Sequence, residues 1–440
     1  LTPARGRLLG WTGGLAALLG VVNFARAIQN AVTFNRGDFY YSLPGEYASR
    51  VNPALWNSPD LQLAIAYNKS AYFYGPAQYL TLYPLVFADS YDAIARILLV
   101  THAAALVGAF LLLWSALSWN ESRTAGLAGL VFGAMFLFRP TMQAYVQREF
   151  EVVALVIAAG ATALLVRGRE GWGSGLFSYL AWFKYWPMIF FGYFATALRW
   201  RAMAIYAAVS AGVLAVTHLV FGLQHFAIGN TLFIIKMMFV PLGSGDVLLS
   251  PIPNAPYKEA FCRQWVPGRG TQISIRWGLC GIEDRFPMFP ARVVFYSVVV
   301  VLAAVIVAAG FRIATRALDA SERKWATIWQ LSLLAIVGSA LLHGHYYYLT
   351  MVTLPVVALL YRYARDLDTH WGRLALWGVA YVILTAFLLP LPLLSRLVQR
   401  DAWALYMESS LYLAGELLLI GLVMREAADL HLRGRYAHRA

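Results

Sequence analysis

Residues 291–311 read ARVVFYSVVVVLAAVIVAAGF. One charged side chain, Arg292, interrupts the run. A stretch of about 20 predominantly apolar residues is what an α-helix needs to cross a hydrocarbon core of ~30 Å. Runs of the same kind recur at 8–25, 72–89, 94–118, 122–138, 150–166, 172–185, 187–198, 203–221, 325–342, 346–361, 374–392 and 407–424. Several are too short to cross upright. Short helices interrupted by Gly or Pro at membrane depth are tolerated where they line a cavity in the protein. The pair 172–185 and 187–198, broken at Lys184-Tyr185-Trp186-Pro187, has that form. The first run, Leu8 to Phe24, continues without a small-residue cleavage site, so no cleaved signal peptide is expected.

Composition agrees with this reading. Hydrophobic residues make up 60% of the 440-residue chain and charged ones 13%, with a mean hydropathy of +0.60. A soluble domain is about 45–50% apolar and about 25% charged. Disorder, collagen and a disulfide-stapled secreted module are excluded. The charge balance, 35 Lys and Arg against 22 Asp and Glu, is assigned to basic cytoplasmic loops rather than to nucleic-acid binding. The clusters Arg167-Gly-Arg169, Arg199-Trp-Arg201, Arg312 through Lys324, Arg362 through Arg373 and Arg425 through Arg439 then face the cytoplasm, with both termini. Thirteen crossings cannot leave both ends on one side. One candidate is therefore re-entrant or interfacial, and 72–89 is chosen for its Gly75-Pro76 and Tyr83-Pro84 breaks.

The expected architecture is an all-α polytopic membrane protein with about twelve transmembrane helices and two long extracytoplasmic loops containing short interfacial helices. Residues 1–221 form an N-terminal transmembrane module whose first outer loop is 26–70; 222–290 is the second loop; 291–440 supplies the C-terminal helices. Loops above about 12–15 residues tend to be functional. Cys262 and Cys280 both fall in the second one, outside the cytoplasm, where an oxidised pair persists.

Several polar groups are candidates for chemistry. Asp38, in Asn35-Arg36-Gly37-Asp38-Phe39-Tyr40-Tyr41, is placed to take a proton from a hydroxyl: neighbouring aromatics raise a carboxylate's basicity, while Arg36 opposes this. On spacing alone, a solvated loop Asp or a helix cap is the favoured account. The Gly-Pro break in Phe73-Tyr74-Gly75-Pro76 suggests a chain turning back over a cavity. Tyr145-Val-Gln147-Arg148-Glu149-Phe150-Glu151 puts three ionisable groups at a membrane mouth. They are costly there unless they face water, a ligand or one another, and an Arg148–Glu151 or Arg148–Glu149 pair is the plain structural account. Lys184 lies within an apolar stretch, and a point charge suits a phosphate; snorkelling to the interface is the competing account. His343-Gly344-His345-Tyr346-Tyr347-Tyr348 offers donors to an anion. The usual zinc spacings are absent from it. No P-loop, dinucleotide fingerprint, zincin motif or nucleophile elbow is present in the sequence.

In this order, these pieces resemble the GT-C membrane glycosyltransferases, and within them glycosyltransferase family 87, which includes polyprenyl-phosphate-mannose-dependent mannosyltransferases. The pattern runs over roughly residues 1–365 as a string of short motifs. The resemblance implies a GT-C fold and an inverting transfer of a sugar, a mannose-like hexose or a pentose, from a polyprenyl-phosphate donor. The acceptor would be a lipid-linked or cell-envelope glycan at the outer face of the plasma membrane. It implies Asp38 as general base and Lys184, Arg148, His345 and His343 as partners of the donor phosphate. Tyr40, Tyr74, Gln147, Glu149 and Tyr347 are the candidate substrate contacts. No cofactor is required, since cations can neutralise the leaving phosphate, and a divalent metal stays open. Expected partners are the lipid-linked donor, the glycolipid or glycan acceptor and membrane lipids, with no nucleic acid. The chain departs from the family pattern where Val146-Gln147-Arg148-Glu149 replaces Gly-Gln-x-Asn and Tyr74-Gly75-Pro76 replaces Tyr-Pro-Pro.

Two other classes fit parts of the chain. An O-antigen ligase or polymerase using a pyrophosphate donor would depend on arginines such as Arg263, Arg269, Arg276 and Arg285 in its outer loop. A lipid or solute transporter would need ionisable groups at the bilayer midplane on symmetric broken helices, whereas here they gather toward the outer face.

Overall fold

The computed structural model describes residues 3–33, 75–88, 90–121, 124–184, 186–221, 275–315, 318–341, 346–386, 395–397 and 401–437. Every element among them is helical: α1 (Pro3–Thr33), α2 (Pro76–Leu82), α3 (Tyr91–Leu117), α4 (Ala125–Leu137), α5 (Arg139–Val146), α6 (Glu151–Val166), α7 (Glu170–Lys184), α8 (Phe191–Thr196), α9 (Trp200–Phe221), α10 (Ile275–Arg285), α11 (Ala291–Thr315), α12 (Ala320–Leu341), α13 (Thr353–Arg365), α14 (Leu367–Leu384), α15 (Ala402–Glu408) and α16 (Leu411–Ala437). Short 3-10 turns occupy Tyr83–Phe87, Trp186–Phe190 and Tyr346–Val352.

Among the described residues, α1, α3, α9 and α11 contain stretches long and apolar enough to cross a bilayer, and α4 with α5, bent by 56°, adds a fifth if the pair is one span. The chain is a helical, multi-pass membrane protein. The described part of 72–89 is a seven-residue helix followed by a five-residue 3-10 turn, too short to cross. α1 runs to Thr33, seven residues past the polar boundary expected at Arg26, because Ala27 and Ala31 still pack into the bundle, 5% and 0% exposed.

The α1–α4 contact shows how small residues replace hydrophobic drive inside lipid. Gly126, Gly129 and Gly133 line one face of α4, and a Cβ at any of them would collide with the backbone of Leu9, Gly13 or Ala16 on α1. Close backbone approach of this kind is what holds transmembrane helices together where lipid is as apolar as leucine. Serines do similar work between α7 and α9, where Ser178 donates to the Tyr206 carbonyl at 2.7 Å and shares a hydrogen bond with Ser210 at 2.9 Å.

The α4–α5 bend falls at Phe138, whose backbone is extended (φ −70°, ψ 105°) ahead of Pro140. A break frees helix carbonyls, which lipid cannot satisfy. Side chains from other helices take them: Asn23 donates to the Phe136 carbonyl at 2.7 Å and Tyr381 to that of Ala134 at 2.9 Å.

Glu121, in the turn between α3 and α4, ties one end of the bundle together. Its carboxylate lies 2.8 Å from Lys324 Nζ and pairs with Arg365, and it accepts from Trp325 Nε1 at 3.1 Å and Tyr361 Oη at 2.9 Å. Arg199 and Glu170 pair at 3.4 Å at the same end, where the helices beginning at Glu170, Trp200 and Leu367 leave Trp172, Trp200 and Trp371 exposed. Exposed Trp beside Arg is the signature of a membrane–water boundary.

Candidate functional site

At the other end of α6, five elements converge on a cluster of buried charges. The chain leaves α5 through a Schellman-type closure: Glu149 N–H donates to the Ala144 carbonyl at 2.8 Å and Arg148 N–H to that of Tyr145 at 3.0 Å. The left-handed position of such a closure usually belongs to glycine. Here it is Arg148, at φ +56°. Left-handed backbone costs a residue with a Cβ roughly 1–2 kcal/mol, so tertiary contacts must hold it. One of these is visible: Arg148 Nη2 donates to the Ala31 carbonyl at 2.8 Å, in the last turn of α1, where helix carbonyls lack intrahelical partners.

Three residues on from Arg148, α6 opens with Glu151, which is 0% exposed. Its Oε1 lies 2.9 Å from Lys184 Nζ at the end of α7. A carboxylate in the first turn and an ammonium in the last turn both sit favourably in their helix dipoles. The antiparallel packing of α6 on α7 thus brings two oppositely charged termini together. The expected pairing of Arg148 with Glu151 or Glu149 gives way to Lys184–Glu151, because Arg148 is drawn toward the end of α1. Glu149 and Arg148 are also buried, 1% and 5% exposed.

The Gly75-Pro76 break lands on the same spot. Gly75 N–H donates to the Phe183 carbonyl at 3.3 Å, and a Cβ at Gly75 would overlap the Trp182 carbonyl. The absence of a side chain lets α2 dock against the last turn of α7. Pro76, at the start of α2, lacks an N–H that the first helical turn does not need. Gln78 and Tyr79 follow, both fully buried, and Tyr179 Oη donates to the Ala77 carbonyl at 3.1 Å.

Of the residues expected at a site, the structure brings together Lys184, Arg148 and Glu149, and places Gln147 at the α5–α6 joint, where its Oε1 is buried without a hydrogen-bond partner among the described residues. Asp38, Tyr40, Tyr74, His343, His345 and Cys262 lie outside the described residues, as does the side chain of Tyr347. Cys280, on α10, is buried and disulfide-bonded.

His102 is a residue the sequence reading passed over. It is fully buried in α3, its ring edge-on to Phe150 at 5.4 Å, and neither ring nitrogen has a hydrogen-bond partner among the described residues. A histidine inside the apolar run 94–118 was the signal, since ionisable groups at that depth are functional candidates. Among the described residues no three His, Cys, Asp or Glu side chains stand together as a metal site.

Chemically, the cluster supplies two cations and two carboxylates in a water-poor setting where electrostatic interactions are strong. Comparison with curated proteins and with solved structures returns no match. The model of glycosyltransferase family 87 matches residues 72–228, a stretch that contains Gly75, Gln147, Arg148, Glu149, Glu151 and Lys184 but neither Asp38 nor the His343–His345 segment. Residues 72–228 are thus similar to glycosyltransferase family 87, a family of GT-C-type membrane glycosyltransferases.

Proposed function

We propose that the protein transfers a sugar, a mannose-like hexose or a pentose, from a polyprenyl-phosphate donor to a lipid-linked or cell-envelope glycan. Transfer takes place at the extracytoplasmic face of the plasma membrane, with both termini cytoplasmic and about twelve helices crossing. The observation that carries the reading is the buried Arg148–Glu149–Glu151–Lys184 cluster inside the family-87 region. A lipid phosphate brings its own anchor in the bilayer and needs from the protein a cationic pocket at the end of the bundle.

In this reading Asp38 takes the acceptor hydroxyl's proton as its oxygen bonds to the anomeric carbon. The bond from that carbon to the phosphate oxygen breaks on the opposite face, which inverts the configuration. Polyprenyl phosphate leaves with the electron pair. Lys184, Arg148, His345 and His343 offset the charge that develops on it. Tyr40, Tyr74, Gln147, Glu149 and Tyr347 contact sugar or acceptor, and the 222–290 loop, held by a Cys262–Cys280 pair, covers the acceptor side. Glu151 fixes Lys184 in place before the donor arrives, so little reorganisation accompanies reaction.

Membranes carrying the protein, incubated with a panel of radiolabelled polyprenyl-phosphate sugars, test this directly. Wild type should label an acceptor from one donor, Asp38→Asn should bind donor without transferring, and Lys184→Ala should weaken donor binding more than acceptor binding. Labelling from a pyrophosphate donor alone, or full transfer by Asp38→Asn, overturns the assignment.

A further inference from the structure

A Cβ at Gly108 on α3 would touch the Val156 side chain on α6, and one at Gly160 on α6 the Leu112 side chain on α3. Both pairs lie 48 residues apart, so the two helices run in the same direction in a fixed register. His102 and Phe150 keep that spacing, and their rings meet edge-on at 5.4 Å. α3 therefore delivers the imidazole to the head of α6. Phe150 in turn stands 6.2 Å from Phe183. Each of these phenylalanines immediately precedes one member of the Glu151–Lys184 pair, so the row of three rings flanks the buried charges. The positive charge of Arg148 also acts on the imidazole.

His102 is 0% exposed, and among the described residues nothing hydrogen-bonds to either ring nitrogen. With no carboxylate bonded to it, a buried imidazolium would be costly. The ring is therefore neutral, with one N–H donor and one acceptor. Two buried atoms beside Arg148 are in the same condition, Tyr145 Oη and Gln147 Oε1. Buried polar atoms in native proteins nearly always have partners, so these await partners that a ligand supplies. A lipid-phosphate sugar has three parts to offer. The polyprenyl tail bonds to none of these atoms. The phosphate, esterified on both sides, has lone pairs but no hydrogen to give to the acceptor nitrogen or to Gln147 Oε1. Sugar hydroxyls donate and accept, and they alone match the whole set. We propose that His102 is a specificity-determining residue of the donor site, its two nitrogens holding hydroxyls of the transferred sugar while Lys184 and Arg148 hold the phosphate. The assignment rests on the polyprenyl-phosphate donor proposed above. The sugar is bonded directly to that phosphate, which brings its hydroxyls to the height of Phe150.

Binding measured without acceptor isolates the donor site. The purified full-length chain is titrated with polyprenyl phosphate carrying mannose, the same lipid carrying arabinose, and the bare lipid phosphate. Wild type should bind one sugar-bearing lipid about tenfold more tightly than the bare one, the scale of one or two neutral hydrogen bonds. His102→Leu should erase most of that preference and leave the affinity for bare polyprenyl phosphate unchanged. Its unfolding temperature should hold or rise, because the substitution removes two polar atoms that have no partner. His102→Phe, which keeps the edge contact with Phe150, serves if the Leu variant does not fold. Equal binding of all three lipids by wild type, a preference that survives the substitution, or a loss shared equally by bare and sugar-bearing lipid overturns the assignment while the donor reading stands. Failure of wild type to bind any of the three overturns the donor reading and the assignment with it.

Discussion

Lys184 Nζ stands 2.9 Å from Glu151 Oε1, with both side chains nearly excluded from solvent. The ammonium that the sequence offers as a lone intramembrane cation is therefore neutralised in place by a carboxylate 33 residues earlier. A buried pair of this kind gains little over an apolar pair of similar shape, yet removing one member strands the other. This separates a structural from a functional reason for keeping it.

Lys184→Met alone and Glu151→Leu alone should each lower stability by roughly 3–5 kcal/mol, by leaving a buried charge without its counterion. The double variant should recover most of that loss, since two apolar side chains pack where the pair stood. Thermal unfolding in detergent reads both effects. Transfer should stay absent in the double variant even where its unfolding temperature returns to wild type. A stable double variant that still transfers sugar would remove Lys184 from the donor site.

Arg148 makes a second prediction through its backbone. At φ +56° a glycine is unstrained, whereas alanine keeps the strain and loses the guanidinium. Arg148→Gly should therefore be more stable than Arg148→Ala by about 1 kcal/mol, measured by thermal or denaturant unfolding. Both lose the hydrogen bond to the Ala31 carbonyl, so both should weaken donor binding alike. Equal stabilities for the two would mean that the α5–α6 joint relaxes when the side chain is cut back.

The helical membrane character was legible from the sequence because a run such as 291–311 leaves no other solvent for its side chains, and the family resemblance proved sound over 72–228. Lys184, Arg148 and the Gly75-Pro76 break were legible as exceptions inside apolar segments. Their partners were not. Glu151 and Lys184 meet only because α6 and α7 form an antiparallel pair, and Gly75 reaches Phe183 across 108 residues, distances over which no local pattern reports. The Glu121 network was missed for a related reason. A lone Glu in Trp119-Asn120-Glu121 looks like a solvated turn until α12 and α13 deliver Lys324, Tyr361 and Arg365 to it.

Gly75 should tolerate no side chain. Gly75→Ala places a methyl where the Trp182 carbonyl already lies, and both neighbours are backbone, so α2 must move away from α7. A displacement near 1 Å at a positioned site is enough to cost roughly a hundredfold in rate. The expected outcome is a folded protein with transfer lowered by about that factor, and with Tyr179 released from the Ala77 carbonyl. Turnover of the radiolabelled donor, together with tyrosine fluorescence, checks both parts. Wild-type turnover in Gly75→Ala would show that the docking of α2 has no bearing on the chemistry.

The last prediction concerns pH at the other end of the bundle. Glu121 lies in the turn outside the membrane-spanning segments. Burial pushes its carboxyl upward, but hydrogen bonds and charge from Lys324 and Arg365 outweigh this and hold it below its ordinary value of 4.5. A carboxyl with a depressed folded value contributes stability that is complete above the unfolded value and is lost as pH falls through the folded one. Wild type should therefore lose stability as the pH drops below about 4.5, and its acid limb should be steeper than that of Glu121→Gln, which has no proton to take up there. At neutral pH wild type is the more stable of the two, because the amide leaves Lys324 and Arg365 without a counterion at that position. Unfolding temperatures of the two proteins across pH 3 to 7 would converge toward the acid end if Glu121 holds the bundle as described. Parallel curves over that range would place the acid sensitivity on other carboxylates.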